Sequence, residues 1–167
     1  ENNIIQIPDI FASGRYPGKS RINSISFDGE NKAFVATGFG VVELDLIYGV
    51  VKGAYILSQD GTAIETFDIE IDSDSLFVSS EKGFWSASIA DPLYLFSNWK
   101  QDPRWIDTII NEISVSENSR LISTKQNESV WYRNNGAWSK INLNNSSGNK
   151  IKSIRKQENG YVISRDF

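Results

Sequence analysis

The sequence predicts an all-β chain of repeated four-stranded units, and three observations carry the prediction. Apolar residues alternate with polar ones in short runs rich in Ile, Val, Phe, Tyr and Trp, the period of a half-buried strand. Clusters of Gly, Asn, Asp and Ser separate the runs, as tight turns require. The whole pattern then recurs: Ile25, Ile69 and Ile113 stand 44 residues apart, while Phe34 to Phe77 and Gly40 to Gly83 each span 43. No window sustains a helical stripe.

The first unit opens with Ile22 to Phe27, turns at Asp28-Gly29-Glu30-Asn31, and continues along Ala33 to Thr37. A second turn at Gly38-Phe39-Gly40 leads into Val41 to Leu46, and Val50 to Leu57 is the fourth strand, so strands are expected near 22–28, 32–37, 40–46 and 50–57. The second unit runs Phe67 to Ile71, turns at Asp72 to Ser75, follows Leu76 to Ser80, turns at Glu81-Lys82-Gly83 and returns along Phe84 to Ala87. The third runs Asn111 to Val115, Leu121 to Thr124, Val130 to Tyr132 and Ala137 to Ile141, with turns at Ser116 to Ser119 and around Gln126 to Glu128. A fourth begins at Ile151 to Ile154, turns at Gln157 to Gly160 and stops after Tyr161 to Ser164.

A period of about 40–45 residues with four strands per unit is the spacing of β-propeller blades. Residues 22–57, 65–97 and 108–142 are therefore expected to be complete blades, with partial blades at 1–10 and 151–167 and Asn3 to Ile7 as the outer strand of a preceding one. A propeller ring takes about four to eight blades, so the expectation is a β-propeller fragment whose ring stays open. Its open edges should pair with another chain or with further sequence. Ile25, Ile69 and Ile113 should be buried on equivalent inner strands, because alternation puts them on the same blade face.

Composition narrows function by exclusion. Seventeen Lys and Arg are scattered among 21 Asp and Glu, for a net charge of −4 over 167 residues, so neither a nucleic-acid surface nor an anionic-membrane surface is expected. The chain has no Cys, His or Met, which removes thiol nucleophiles, Cys or His metal sites and the usual neutral-pH general base. No apolar run reaches the ~20 residues that span a bilayer. No signal-peptide pattern opens the chain, and Glu1 reads as a start inside a longer polypeptide.

Candidate chemistry meets a simpler account at most positions. Asp72-Ser73-Asp74-Ser75 and Asp28-Gly29-Glu30 lack the spaced oxygen ligands and terminal Glu of a calcium loop and read as hairpin turns. Gly38-Phe39-Gly40 lacks the third Gly and following helix of a phosphate loop. No catalytic, cofactor or metal residue is predicted, and the expectation is a protein that is not an enzyme. Trp85 and Trp131 hold equivalent third-strand positions, where between-blade packing is the first reading. Trp99, Trp105 and Trp138 lie near blade ends or connections, where an aromatic face can cover a sugar ring or a protein partner; packing comes first there too, with ligand contact second.

The stretches Ile7-Pro8-Asp9-Ile10, Ile22 to Ile25 and Ala33 to Leu46 resemble the amino-terminal propeller of the PorZ family, surface components of the Bacteroidetes type IX secretion system. The resemblance is sharp from Ile7 to about Tyr55 and looser to Trp99, with Leu95 to Trp99 similar to a blade-closing segment of that family. Beyond Asp107 the pattern is the generic blade pattern that periplasmic propellers of hybrid two-component sensors share. The resemblance implies a larger parent with more propeller and a carboxy-terminal β-sandwich-like module. It implies a non-enzymatic place in the cell-surface attachment complex with the PorU sortase, PorV and PorQ, a role in handling anionic lipopolysaccharide, and export to the outer-membrane surface. Asp74-Ser75-Leu76 and Asp107-Thr108-Ile109 match the short O-glycosylation pattern of exported Bacteroidetes proteins. The alternative from a different class is a periplasmic, glycan-sensing propeller of a hybrid histidine kinase; a sorting-type module or a kinase core in the parent separates the two.

Overall fold

The computed structural model describes Ile10 and residues 19–116, 119–125, 128–134, 136–143, 151–157 and 160–165. The first sheet is β1 (Ile22–Asp28), β2 (Lys32–Thr37), β3 (Gly40–Asp45) and β4 (Val50–Tyr55), hydrogen-bonded in that order and antiparallel throughout. The second is β5 (Thr66–Asp72), β6 (Ser75–Ser80), β7 (Gly83–Ser88) and the short β8 (Lys100–Gln101). The third is β9 (Ile110–Ser116), β10 (Ser119–Thr124), β11 (Ser129–Asn134) and β12 (Ala137–Ile141), and a two-stranded sheet follows from β13 (Ile151–Gln157) and β14 (Gly160–Arg165). These sheets are propeller blades. The fourth strand of the second blade sits past the expected limit at 97, because the connection first makes a 3-10 turn at Phe96–Asn98 held by Trp99 Nε1 donating to the Leu93 carbonyl at 2.8 Å.

Two-residue alternation gives every blade two working faces. In the first blade Phe34, Ala36 and Val41 point toward the second, where they pack with Leu57 against Ile69, Leu76, Val78 and Trp85. Phe77 and Phe84 leave the other face of the second blade and meet Ile113, Val115 and Ile122 of the third. Leu121 and Val130 then pack on Ile151 and Ile154. Each fully buried Ile, Leu or Phe in these layers contributes roughly 1.5–3 kcal/mol, so the core is a series of seams between sheets. Among the described residues β1 packs on β5, β5 on β9 and β9 on β13, with no comparable packing of β13 or β14 on β1, so the described sheets form an open ring.

One expectation about the core is corrected. Ile69 and Ile113 are 1% and 0% exposed, but Ile25 is 47% exposed. It has the equivalent position on β1 and faces away from the second blade, where no preceding blade is described. Further out on the same face, Ala33, Val35, Phe39, Val42 and Leu44 are buried with Ile10 packed against them. The leading segment Asn3 to Ile7, the rest of the expected partial blade 1–10 apart from Ile10, and parts of the turns expected at Ser116 to Ser119, Gln126 to Glu128 and Gln157 to Gly160 lie outside the described residues.

Candidate functional site at the blade seams

Repetition places side chains of one type at one place in each blade. Gly40 and Gly83 follow the second strand of their blades with φ of 147° and 132°. A Cβ there would sit 2.3 Å from the carbonyl oxygen of Tyr55 or Trp105, so only glycine lets the outer chain pass. A hydroxyl locks the same hairpin: Thr37 Oγ1 donates to the Gly40 carbonyl at 2.8 Å and Ser80 Oγ to the Gly83 carbonyl at 3.0 Å.

The inner strands carry carboxylates that join blades, Asp68 buried and Glu70 and Glu112 half-buried. Asp68 accepts from Ser24 Oγ at 2.7 Å, from its neighbour Ile69 N–H at 2.9 Å and, through its other oxygen, from Ile113 N–H at 3.1 Å. Glu70 accepts from Val115 N–H at 2.5 Å. Two carboxylates of the second blade thus take backbone donors of β9 that the sheet itself leaves free. Glu112 follows on the third blade, 3.6 Å from the Arg155 guanidinium of β13. Burial pushes Glu70 and Glu112 up to about 7 and raises Asp68 as well, while the field of Arg155 opposes all three shifts.

The seam between the first and second blades opens at the rim into a cavity of about 310 Å³. Leu57, Ile64, Trp85, Phe96 and Ile106 supply its apolar lining, with Asp60 and the Lys82–Asp107 ion pair, 3.1 Å, at its polar side. A smaller cavity of about 100 Å³ between the third blade and Ile151 holds the Ser123 hydroxyl, which has no partner among the described residues.

The next seam is filled by rings and guanidinium groups. Trp105 stands edge-on to Trp131 and Trp138, with centroids 5.3 and 5.4 Å away, and Phe84 meets Trp138 at 6.2 Å. Arg104 lies 4.7 Å from the Trp131 ring and Arg133 lies 5.8 Å from that of Trp138. Asp102 ties the group together, accepting from Trp138 Nε1 at 3.1 Å and from the Arg104 N–H at 3.0 Å, with Arg133 at 3.6 Å.

The structure brings Trp105 and Trp138 into this one cluster and puts Trp99 in the preceding seam. Trp99 and Trp105 are each 5% exposed, while Trp138 is half-buried. Trp85 and Trp131 both face the preceding blade. Ser75 opens β6 beside Asp72, and Thr108 lies in the connection before β9. Among the described residues no group of three or more Asp or Glu is arranged to hold a metal ion, and no helix is long and apolar enough to cross a membrane. Sequence reasoning missed the inner-strand carboxylates, although Ser24, Asp68 and Glu112 keep the 44-residue step. It also missed the arginines, which obey no such step.

Comparison with known proteins fits this geometry. Residues 1–100 match the family model for the PorZ N-terminal β-propeller domain of the type IX secretion system. The chain belongs to that family. Among solved structures, PorZ of Porphyromonas gingivalis, described as an essential bacterial surface component of the type IX secretion system, matches with a TM-score of 0.60 and 16% identity over 89% of this chain. The extracellular domain of BT4673 from B. thetaiotaomicron, described as belonging to a hybrid two-component system, matches with a TM-score of 0.68 and 10% identity over 89% of this chain. The computationally designed Ika4 protein matches with a TM-score of 0.61 and 9% identity, covering 87% of this chain and 86% of its own. The PorZ-type propeller described here spans 18% of the P. gingivalis chain and 20% of the BT4673 chain. No curated protein sequence matches it.

Proposed function

We propose that this propeller is a non-enzymatic binding and scaffold element of the cell-surface type IX attachment complex, through which the parent protein helps the sortase process cargo and attach anionic lipopolysaccharide. The family match over residues 1–100 carries the reading. Those residues contain the whole of the first blade and, up to the start of β8, the second, so the match includes most of the lining of the 310 Å³ cavity, with Gln101, Ile106 and Asp107 beyond it. The composition agrees, since a chain without His or Cys has no ready nucleophile–base pair. Blades of this kind present loops and seams to partners. The partners proposed are the PorU sortase, PorV and PorQ at the outer-membrane surface. Trp138, the half-buried ring of the second seam, is the contact aromatic favoured among Trp99, Trp105 and Trp138.

The test uses the full-length parent. Capture from outer membranes should recover the sortase complex, and deletion of the gene should leave cargo unprocessed. The likeness to BT4673 keeps one competing reading, a periplasmic glycan sensor. Secretion left intact by the deletion, together with loss of transcriptional induction by a glycan, would replace the scaffold reading with that one.

A further inference from the structure

The seam between the second and third blades concentrates positive charge in a chain whose net charge is −4. Arg120 on β10 and Arg133 on β11 are direct cross-strand partners. Like charges in that position repel across a sheet. Arg133 is compensated: its guanidinium lies 3.6 Å from Asp102 and its Nε donates to the Gly136 carbonyl at 3.3 Å. Arg120 is not. Its guanidinium lies 4.4 Å from the centre of the Phe77 ring, and among the described residues no oxygen accepts a hydrogen bond from it. Asp102 cannot easily turn to it, because the same carboxylate already serves Trp138 Nε1, the Arg104 N–H and Arg133. Asp72 and Asp102 reach Arg120 only through their fields, while burial and the charge of Arg133 pull its affinity for the proton below the ordinary value.

A half-buried guanidinium has five donors; those turned away from water have no protein acceptor among the described residues and stand beside a second cation, a cost in free energy that an incoming anion would recover. We propose that Arg120, with Arg133 beside it, binds an oxyanion, a phosphate or carboxylate group, at the seam of the second and third blades. The planar fork of an arginine matches two oxygens of such a group in parallel hydrogen bonds. The Phe77 ring occupies one side of the Arg120 guanidinium, its centre 4.4 Å away. Arg133 keeps 31% of its side chain exposed and supplies the second positive charge. The proposal stands on the arginine geometry and does not need the scaffold reading.

The test titrates the 167-residue chain with inorganic phosphate and, separately, with acetate, against sodium chloride at matched ionic strength. Thermal unfolding and the Arg Nε–H resonances are the readouts. Phosphate or acetate should raise Tm beyond chloride and shift the Arg120 Nε–H signal. A response to phosphate alone assigns the site to phosphate groups, and an equal response to acetate assigns it to oxyanions generally. Arg120→Ala should abolish the anion-specific response and, in chloride, unfold no earlier than the parent chain, since a repulsive neighbour has gone. Arg120→Lys should keep the charge and lose about tenfold in affinity with the fork. If Arg120→Ala does not fold, the Nε–H shift of the unaltered chain decides by itself. Responses to phosphate and acetate no larger than to chloride, or an anion-specific response that survives Arg120→Ala, would overturn the proposal.

Discussion

Glu70 and Glu112 make the joint between blades sensitive to pH. Burial raises both from 4.5 to about 7 in the folded chain. An acid whose folded value lies above its unfolded value binds its proton more tightly when folded, so its contribution to stability is complete below about 4.5 and is lost as pH rises through 7. These two residues therefore act against the usual loss of stability on acidification. Urea midpoints should fall as pH rises from 5 to 7.5, and Glu70→Gln should flatten the slope by keeping a neutral acceptor for Val115 N–H. An unchanged slope in Glu70→Gln would show that the carboxyl does not carry it. Asp68 is the more structural of the group, since its two oxygens reach both the first and third blades.

At the scale of the strand, equal sequence positions do unequal work. Ile113→Ala empties a site closed by Phe77 and Phe84 and should cost about 2–5 kcal/mol in urea unfolding. Ile25→Ala at the equivalent position should change stability by no more than about 0.5 kcal/mol, because about half of its surface already meets solvent and no sheet among the described residues closes over it. Gly83→Ala tests the repeat glycine differently. Its Cβ would meet the Trp105 carbonyl oxygen at 2.3 Å, so the outer chain must move, and the expected loss is at least about 1–3 kcal/mol with weakened packing around Trp105. The strands were legible because alternation fixes which residues share a face, and the repeat of Gly40 at Gly83 was legible because no other residue fits there. The burial of Ile25 was not, since a residue's own strand does not say whether another sheet will cover it. Asp68 and Glu70 were also hidden: in sequence they look like the solvated half of an alternating strand, and only the stacking of the third blade turns them into interior acceptors. Arg120 and Arg133 become neighbours through the β10–β11 register, which composition does not reveal.

On the scale of the whole molecule, stacking among the described residues leaves an apolar seam half made at β1. Ile22, Ile25 and Phe27 lie along β1, with Phe27 64% exposed, whereas Ile69 and Ile71 on β5 and Ile113 and Val115 on β9 pack against a neighbouring sheet. A strand that repeats the inner-strand pattern yet shows its apolar side to water is expected to act as an association surface. Its exposure follows from the stacking order, so charge placed on it should leave the other seams intact. The double variant Ile25→Glu with Phe27→Glu should suppress concentration-dependent association in light scattering and reduce binding of an apolar dye. Its urea midpoint at low protein concentration should stay within about 0.5 kcal/mol of the parent chain. A large loss of stability in that variant would mean that these side chains are already covered in solution, and the first blade would then have to be completed on its outer face by contacts that the described residues do not include.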